Sequence, residues 1–201
     1  MPLMESPTAL LILWAVIGYL LGSIPFGLVV TRAMGLGDVR AIGSGNIGAT
    51  NVLRTGSKGA ALATLLLDAG KAIAAVILAR IFAAEDAAQI AGAAAFAGHC
   101  YPVWLRFRGG KGVATILGLL IALSWPVGLA ACATWLVAAF AFRYSSLAAL
   151  LAAGLAPAWA LLLGEGRIVL LAIVLAAILY ARHAANIARL RAGTEPRIGA
   201  K

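Results

Sequence analysis

The sequence predicts an all-α fold: a polytopic membrane bundle of seven transmembrane helices, forming one domain over residues 1–201. Three observations predict it. Of the residues, 63% are hydrophobic and 11% charged, with a mean hydropathy of +1.01, whereas soluble domains carry roughly a quarter charged residues. Uncharged stretches long enough to cross a bilayer recur along the chain. The basic residues gather on one side once those stretches are laid across a membrane in turn. A soluble core of this size cannot hide so many apolar side chains, so most must face lipid.

The first stretch, residues 8–31, lies in an uncharged run between Glu5 and Arg32. No basic segment leads it and it is long enough to span, so it reads as a retained helix rather than a cleaved signal. Gly18 and Gly22 within it have the small-xxx-small spacing of closely packed membrane helices. The second stretch, 59–84, is interrupted by Asp68 and Lys71. Three residues apart on a helix, they are placed to neutralise each other, either as a structural ion pair or as a binding element. The third, 87–105, contains His99, read as a satisfied helix-end histidine or, alternatively, as one that touches the site.

The fourth stretch, 112–142, has 31 uncharged residues, too many for one span and too few for two with a loop. Ser124, Trp125 and Pro126 mark a break there, because proline lacks a backbone donor and the residue before it avoids helical angles. The remaining stretches are 144–164 and 168 to about 190. Dividing the fourth gives seven spans and places thirteen basic residues, from Arg32 to Lys201, on one side, with only Arg80 and Arg167 on the other. Undivided, the same charges split eight to seven and show no bias. The N-terminus is therefore expected outside and the C-terminus in the cytoplasm. This placement also accounts for the net charge of +9, so no nucleic-acid partner is implied. Cys100 and Cys132 lack metal-ligand spacing and read as small buried hydrophobes, implying no metal site and no disulfide.

Four cytoplasmic segments hold the unusual polar residues: 32–58, 105–115, 143–146 and 182–191. The first contains GSGNIGATNVLR, from Gly43 to Arg54. Its glycines, Gly45 and Gly48 among them, let backbone amides approach an anion, and Ser44, Asn46, Thr50 and Asn51 add donors. Gly43, Gly45 and Gly48 match GxGxxG, but a dinucleotide fingerprint needs a strand before it, and a membrane span stands there instead. The second segment reads RFRGGKGVAT, from Arg106 to Thr115. Gly109 and Gly110 precede Lys111 at an expected helix start, where amides and a lysine hold phosphate together, with Thr115 as a further contact. Leu105 and Gly112 break the pattern of an ATP-binding loop. Ser145 and Ser146 stand at a span boundary, where a helix cap is the structural alternative. His183 and Asn186, three apart, share a helix face. Apart from Asp38, outside the glycine loop, no carboxylate is expected in these motifs.

Taken together, GSIPFG (Gly22 to Gly27), GSGNIGATNVLR, the Asp68–Lys71 pair, GHCYPVWLRFRGGKGVAT (Gly98 to Thr115) and RHAANIARL (Arg182 to Leu190) resemble, in order, the acyl-phosphate:glycerol-3-phosphate acyltransferase family of bacterial membranes. The resemblance covers almost the whole chain. It implies a seven-helix enzyme of the cytoplasmic (inner) membrane, with a cytoplasmic-side site that makes lysophosphatidic acid and inorganic phosphate in phospholipid biosynthesis. Glycerol 3-phosphate and acyl phosphate would be the substrates, membrane lipid the surroundings, and no cofactor is implied. Carried over by motif, Ser44, Arg54, Lys111 and His183 become the catalytic set, with the base for the attacking hydroxyl either a substrate phosphate oxygen or His183, and Ser145, Ser146 and Asn186 join the substrate contacts. A monomer is the simplest expectation. The HxxxxD motif of acyl-CoA-dependent enzymes is absent, since Trp104 and Ala188 stand five residues after His99 and His183. A transporter is disfavoured because the outward loops carry few charges and no inverted repeat is visible.

Overall fold

The fold is given by a computed structural model in which residues 4–199 are described; Lys201, counted above among the inward charges, lies outside them. Among the described residues the regular structure is entirely helical. The helices are α1 (Thr8–Gly22), α2 (Phe26–Ala33), α3 (Ala49–Val52), α4 (Lys58–Phe82), α5 (Glu85–Cys100), α6 (Val113–Leu123), α7 (Trp125–Phe142), α8 (Ser145–Leu162), α9 (Val169–Arg182) and α10 (Ala184–Arg191).

The first stretch is interrupted at Ser23–Pro25, where proline ends the α1 ladder, and α2 carries the chain on; together they make a 26-residue apolar run. The break expected in the fourth stretch is present. Ser124 is extended (φ −152°, ψ 102°), and α7 begins with Pro126 in its first turn, where a missing N–H costs nothing. The last stretch is likewise two helices, α9 and α10, bent by 65° at His183. By length and composition, four runs can cross a membrane (Thr8–Ala33, α4, α7 and α8), or five if the bent pair counts as one. The other two predicted spans are shorter. α5 has 16 residues and α6 has 11, the latter about 16 Å long against a hydrocarbon core of roughly 30 Å.

Packing follows from small residues. A Cβ on Gly22 would fall 1.9 Å from the Ala95 carbonyl oxygen, and one on Gly18 2.2 Å from that of Ala91, so α1 and α5 meet backbone to backbone. α4 lies against α5 and α6, α7 and α8 pair, and α9 packs on α8. Phe96, Leu119, Val127, Leu175 and Leu179 fill the centre among fully buried alanines. The periphery is apolar as well: Phe140 is 90% exposed and Leu162 75%, which in water would be an aggregation liability and in lipid is the required surface. A second, smaller cluster of Val30, Val39, Ile47, Val52 and Ala60 seats the 43–54 loop on the start of α4.

Candidate active site

The loop from Gly43 to Arg54 is built around Asn51, which is 3% exposed. Its Nδ2 donates to the carbonyls of Val39 (2.8 Å), Ile42 (3.0 Å) and Asn46 (2.7 Å), and its Oδ1 accepts from the Ser44 amide (3.1 Å) and hydroxyl (3.3 Å). Asn51 thus shapes the loop, and its donors are taken up by the chain itself. Gly43 has φ +55°, and a Cβ there would stand 2.3 Å from Arg54 Nη1. Only glycine allows both the turn and the guanidinium folded over it. Thr50 Oγ1 lies 3.3 Å from Ser145 Oγ, joining this loop to the start of α8.

The second glycine loop differs from the expected phosphate cradle. The Gly109 amide donates to Cys100 O (3.2 Å) and the Gly110 amide to His99 O (3.0 Å). Their carbonyls accept from Arg182, through Nη2 to Gly109 (2.9 Å) and Nε to Gly110 (3.1 Å). With amides and carbonyls both engaged, the pair offers no free donor. Lys111 Nζ donates to Asn186 Oδ1.

One residue absent from the sequence reading organises the rest. Glu195 is buried; its Oε1 accepts from Ser146 Oγ (2.6 Å) and Asn186 Nδ2 (2.6 Å), and its Oε2 from Arg189 Nε (2.7 Å). No carboxylate other than Asp38 is expected within the motifs; Glu195 lies outside them in sequence, and the fold brings it to them. Burial raises the Glu195 carboxyl, but the hydrogen bonds from Ser146, Asn186 and Arg189 outweigh it and hold the group below its ordinary value. Burial pushes the Lys111 ammonium down to about 8, opposed by Glu195 and reinforced by Arg189, Arg182 and Arg54. His183 is 2% exposed, and its Nδ1 donates to Leu179 O (2.9 Å), leaving Nε2 as the acceptor of a neutral ring.

These groups line one cavity of about 540 Å³. Ser44, Asn46, Gly48, Thr50, Asn51 and Arg54 come to it from the first loop; Lys111, Ser145, Ser146, His183 and Asn186 come from the other three segments. Four predicted contacts are not on its wall. Gly45 lies outside it, Gly109 and Gly110 lie beneath Lys111, and Thr115 is fully buried in the first turn of α6. The cavity continues into an apolar arm past Leu62, Leu65, Leu117 and Leu136. Neither Arg54 nor Lys111 is ion-paired among the described residues. A cationic mouth on an apolar slot suits an anionic head with a hydrocarbon tail.

A sequence profile described as glycerol-3-phosphate acyltransferase matches residues 12–193. The chain belongs to this family. The glycerol-3-phosphate acyltransferases of Ruegeria pomeroyi and Cereibacter sphaeroides are each 64% identical over 201 residues, spanning 100% of this chain and 99% and 96% of theirs. The fold is similar to the crystal structure of PlsY (YgiH), an integral membrane glycerol 3-phosphate acyltransferase, in its glycerol 3-phosphate form. That comparison has a TM-score of 0.88 at 38% identity, covering 94% of this chain and 96% of that one. The lysophosphatidic acid form of the same protein gives 0.85 at 36%, covering 94% and 95%.

Within this glycerol-3-phosphate acyltransferase chain, sequence reasoning missed Glu195 and Arg189, which line the cavity, and Arg182, which holds the second glycine loop. A signal for Glu195 existed: it is the only carboxylate after Glu165, in an otherwise basic tail.

Proposed function

We propose that this chain crosses the bacterial cytoplasmic membrane seven times, N-terminus outside, and there transfers a fatty acyl group from acyl phosphate to glycerol 3-phosphate, giving 1-acyl-glycerol 3-phosphate and inorganic phosphate. The observation that carries the reading is the cavity itself: four segments far apart in sequence bring Ser44, Arg54, Lys111, Ser146, His183 and Asn186 to the mouth of an apolar slot. Short α5 and α6 serve as spans because they pack against α4 and each other, so protein rather than lipid meets their ends. The basic residues then face the cytoplasm. One copy carries every group the reaction needs, so the enzyme works as a monomer.

The acyl phosphate is a mixed anhydride with a good leaving group, so no acyl-enzyme is needed. The acceptor hydroxyl oxygen bonds to the acyl carbon, the carbon–oxygen bond to phosphate breaks, and a phosphate oxygen takes the hydroxyl proton. Arg54, Lys111 and Ser44 stabilise the charge gathering on the carbonyl oxygen and departing phosphate. Ser145, Ser146 and Asn186 hold the acceptor's phosphate, while His183 Nε2 accepts from its neighbouring hydroxyl, orienting the encounter. The fatty tail lies along Leu65 and Leu136 in the apolar arm.

The test is purified protein in detergent, supplied with glycerol 3-phosphate and either acyl phosphate or acyl-CoA. Stoichiometric phosphate and lysophosphatidic acid from acyl phosphate alone is the expected result; turnover of acyl-CoA alone would sink the donor assignment. The pH dependence follows from Lys111. A lysine is charged below its pKa, so the cation is lost as pH rises through about 8, and kcat/KM should fall about tenfold per unit above that point. Lys111→Arg should remove this alkaline limb, and a limb unchanged in that variant would exclude Lys111 as its source.

A further inference from the structure

Beneath the second glycine loop lies a charged cluster, two of whose members, Asp68 and His99, also reach the cavity wall, and to which the reaction just described assigns no step. Lys71 Nζ donates to the Ile24 carbonyl at 2.9 Å and to His99 Nδ1 at 2.9 Å, and it is ion-paired with Asp68 Oδ1 at 2.8 Å, which also stands 3.4 Å from His99 Nδ1. All three side chains are 5% exposed or less. Accepting from the ammonium fixes the tautomer of a neutral His99 ring, with its proton on Nε2. That ring is the surface on which the loop rests. A Cβ on Gly110 would fall 2.1 Å from His99 Nε2, and one on Gly109 would fall 2.2 Å from His99 O. The next residue is Lys111. Thus α4 and the α1–α2 break hold the ring, the ring holds the two glycines, and Arg182 clamps them from above through their carbonyls.

We propose that the Asp68–Lys71–His99 cluster is the positioning element of the active site: it fixes the His99 ring under Gly109 and Gly110, and through them the place of Lys111 Nζ in the cavity. The inference rests on the assignment of Lys111 above. It differs from a helix-joining ion pair in one respect, because its effect must pass through Lys111 and not only through the stability of the bundle.

A double-mutant cycle separates the two. Removing one partner leaves an uncompensated buried charge, whereas replacing both is often tolerated, so the neutral pair Asp68→Asn with Lys71→Met is the main variant, and His99→Gln the second. Each is expected to lower kcat/KM at least tenfold with the thermal midpoint in detergent nearly unchanged. In a Lys111→Arg background the same changes should cost less than threefold, since the lysine they position is gone. Equal losses in both backgrounds, full activity in both variants, or unfolding of the neutral pair would overturn the positioning role. Wild-type activity in Lys111→Arg and Lys111→Ala would instead overturn the Lys111 assignment itself.

Discussion

Lys111→Ala is expected to lower kcat/KM by about a thousandfold or more while leaving the bundle folded. Removing a single preorganised donor at a developing oxyanion costs about 10²–10³ in rate, and Lys111 contributes a full charge inside a partly desolvated cavity, where each interaction is stronger than in water. The structure gives the side chain little to hold together: among the described residues its one hydrogen bond is to Asn186. Kinetics with acyl phosphate and glycerol 3-phosphate, beside a melting curve, check this. Normal turnover in a folded variant would remove Lys111 from the reaction.

Glu195→Ala should be nearly as severe for a different reason. The carboxylate receives hydrogen bonds from Ser146, Asn186 and Arg189, and hydrogen bonds to charged groups contribute about 1.5–3 kcal/mol each. Its loss frees Asn186, the partner of Lys111, and leaves Arg189 without its counter-ion. We expect kcat/KM to fall about a hundredfold and the protein to melt several degrees earlier. Glu195→Gln should recover part of the stability, because an amide oxygen still accepts, but little of the activity. A folded, fully active Glu195→Ala would mean that the tail merely rests on the cavity.

The sequence showed the helical class through composition, and the division at Ser124 through proline chemistry and charge bias together. It showed the α1–α5 contact in part: Gly18 and Gly22 announced a close approach, but not that Ala91 and Ala95 would be the other side. Pairing at short range was readable, as with Asp68 and Lys71. The arrival of His99, 28 residues from Lys71, was not, because nothing local specifies which helices will be neighbours. Gly109 and Gly110 show the opposite problem. Their pattern suggested amides open to phosphate, yet the same freedom from side chains serves close packing on His99, and a sequence cannot distinguish the two uses of glycine. Glu195 escaped because it follows the last recognisable motif and acts only after the chain folds back on Ser146.

The shared cavity can be tested by joining two of its walls. Thr50 and Ser145 belong to segments 95 residues apart, with their hydroxyl oxygens 3.3 Å from each other, so cysteines in their places would bring two thiols face to face. In Thr50→Cys/Ser145→Cys protein in native membranes, mild oxidation should form an intramolecular bond, identified by peptide mass, and reduction should reverse it. Two thiols that never join, or that label from opposite sides of the bilayer, would contradict a single site assembled from these segments.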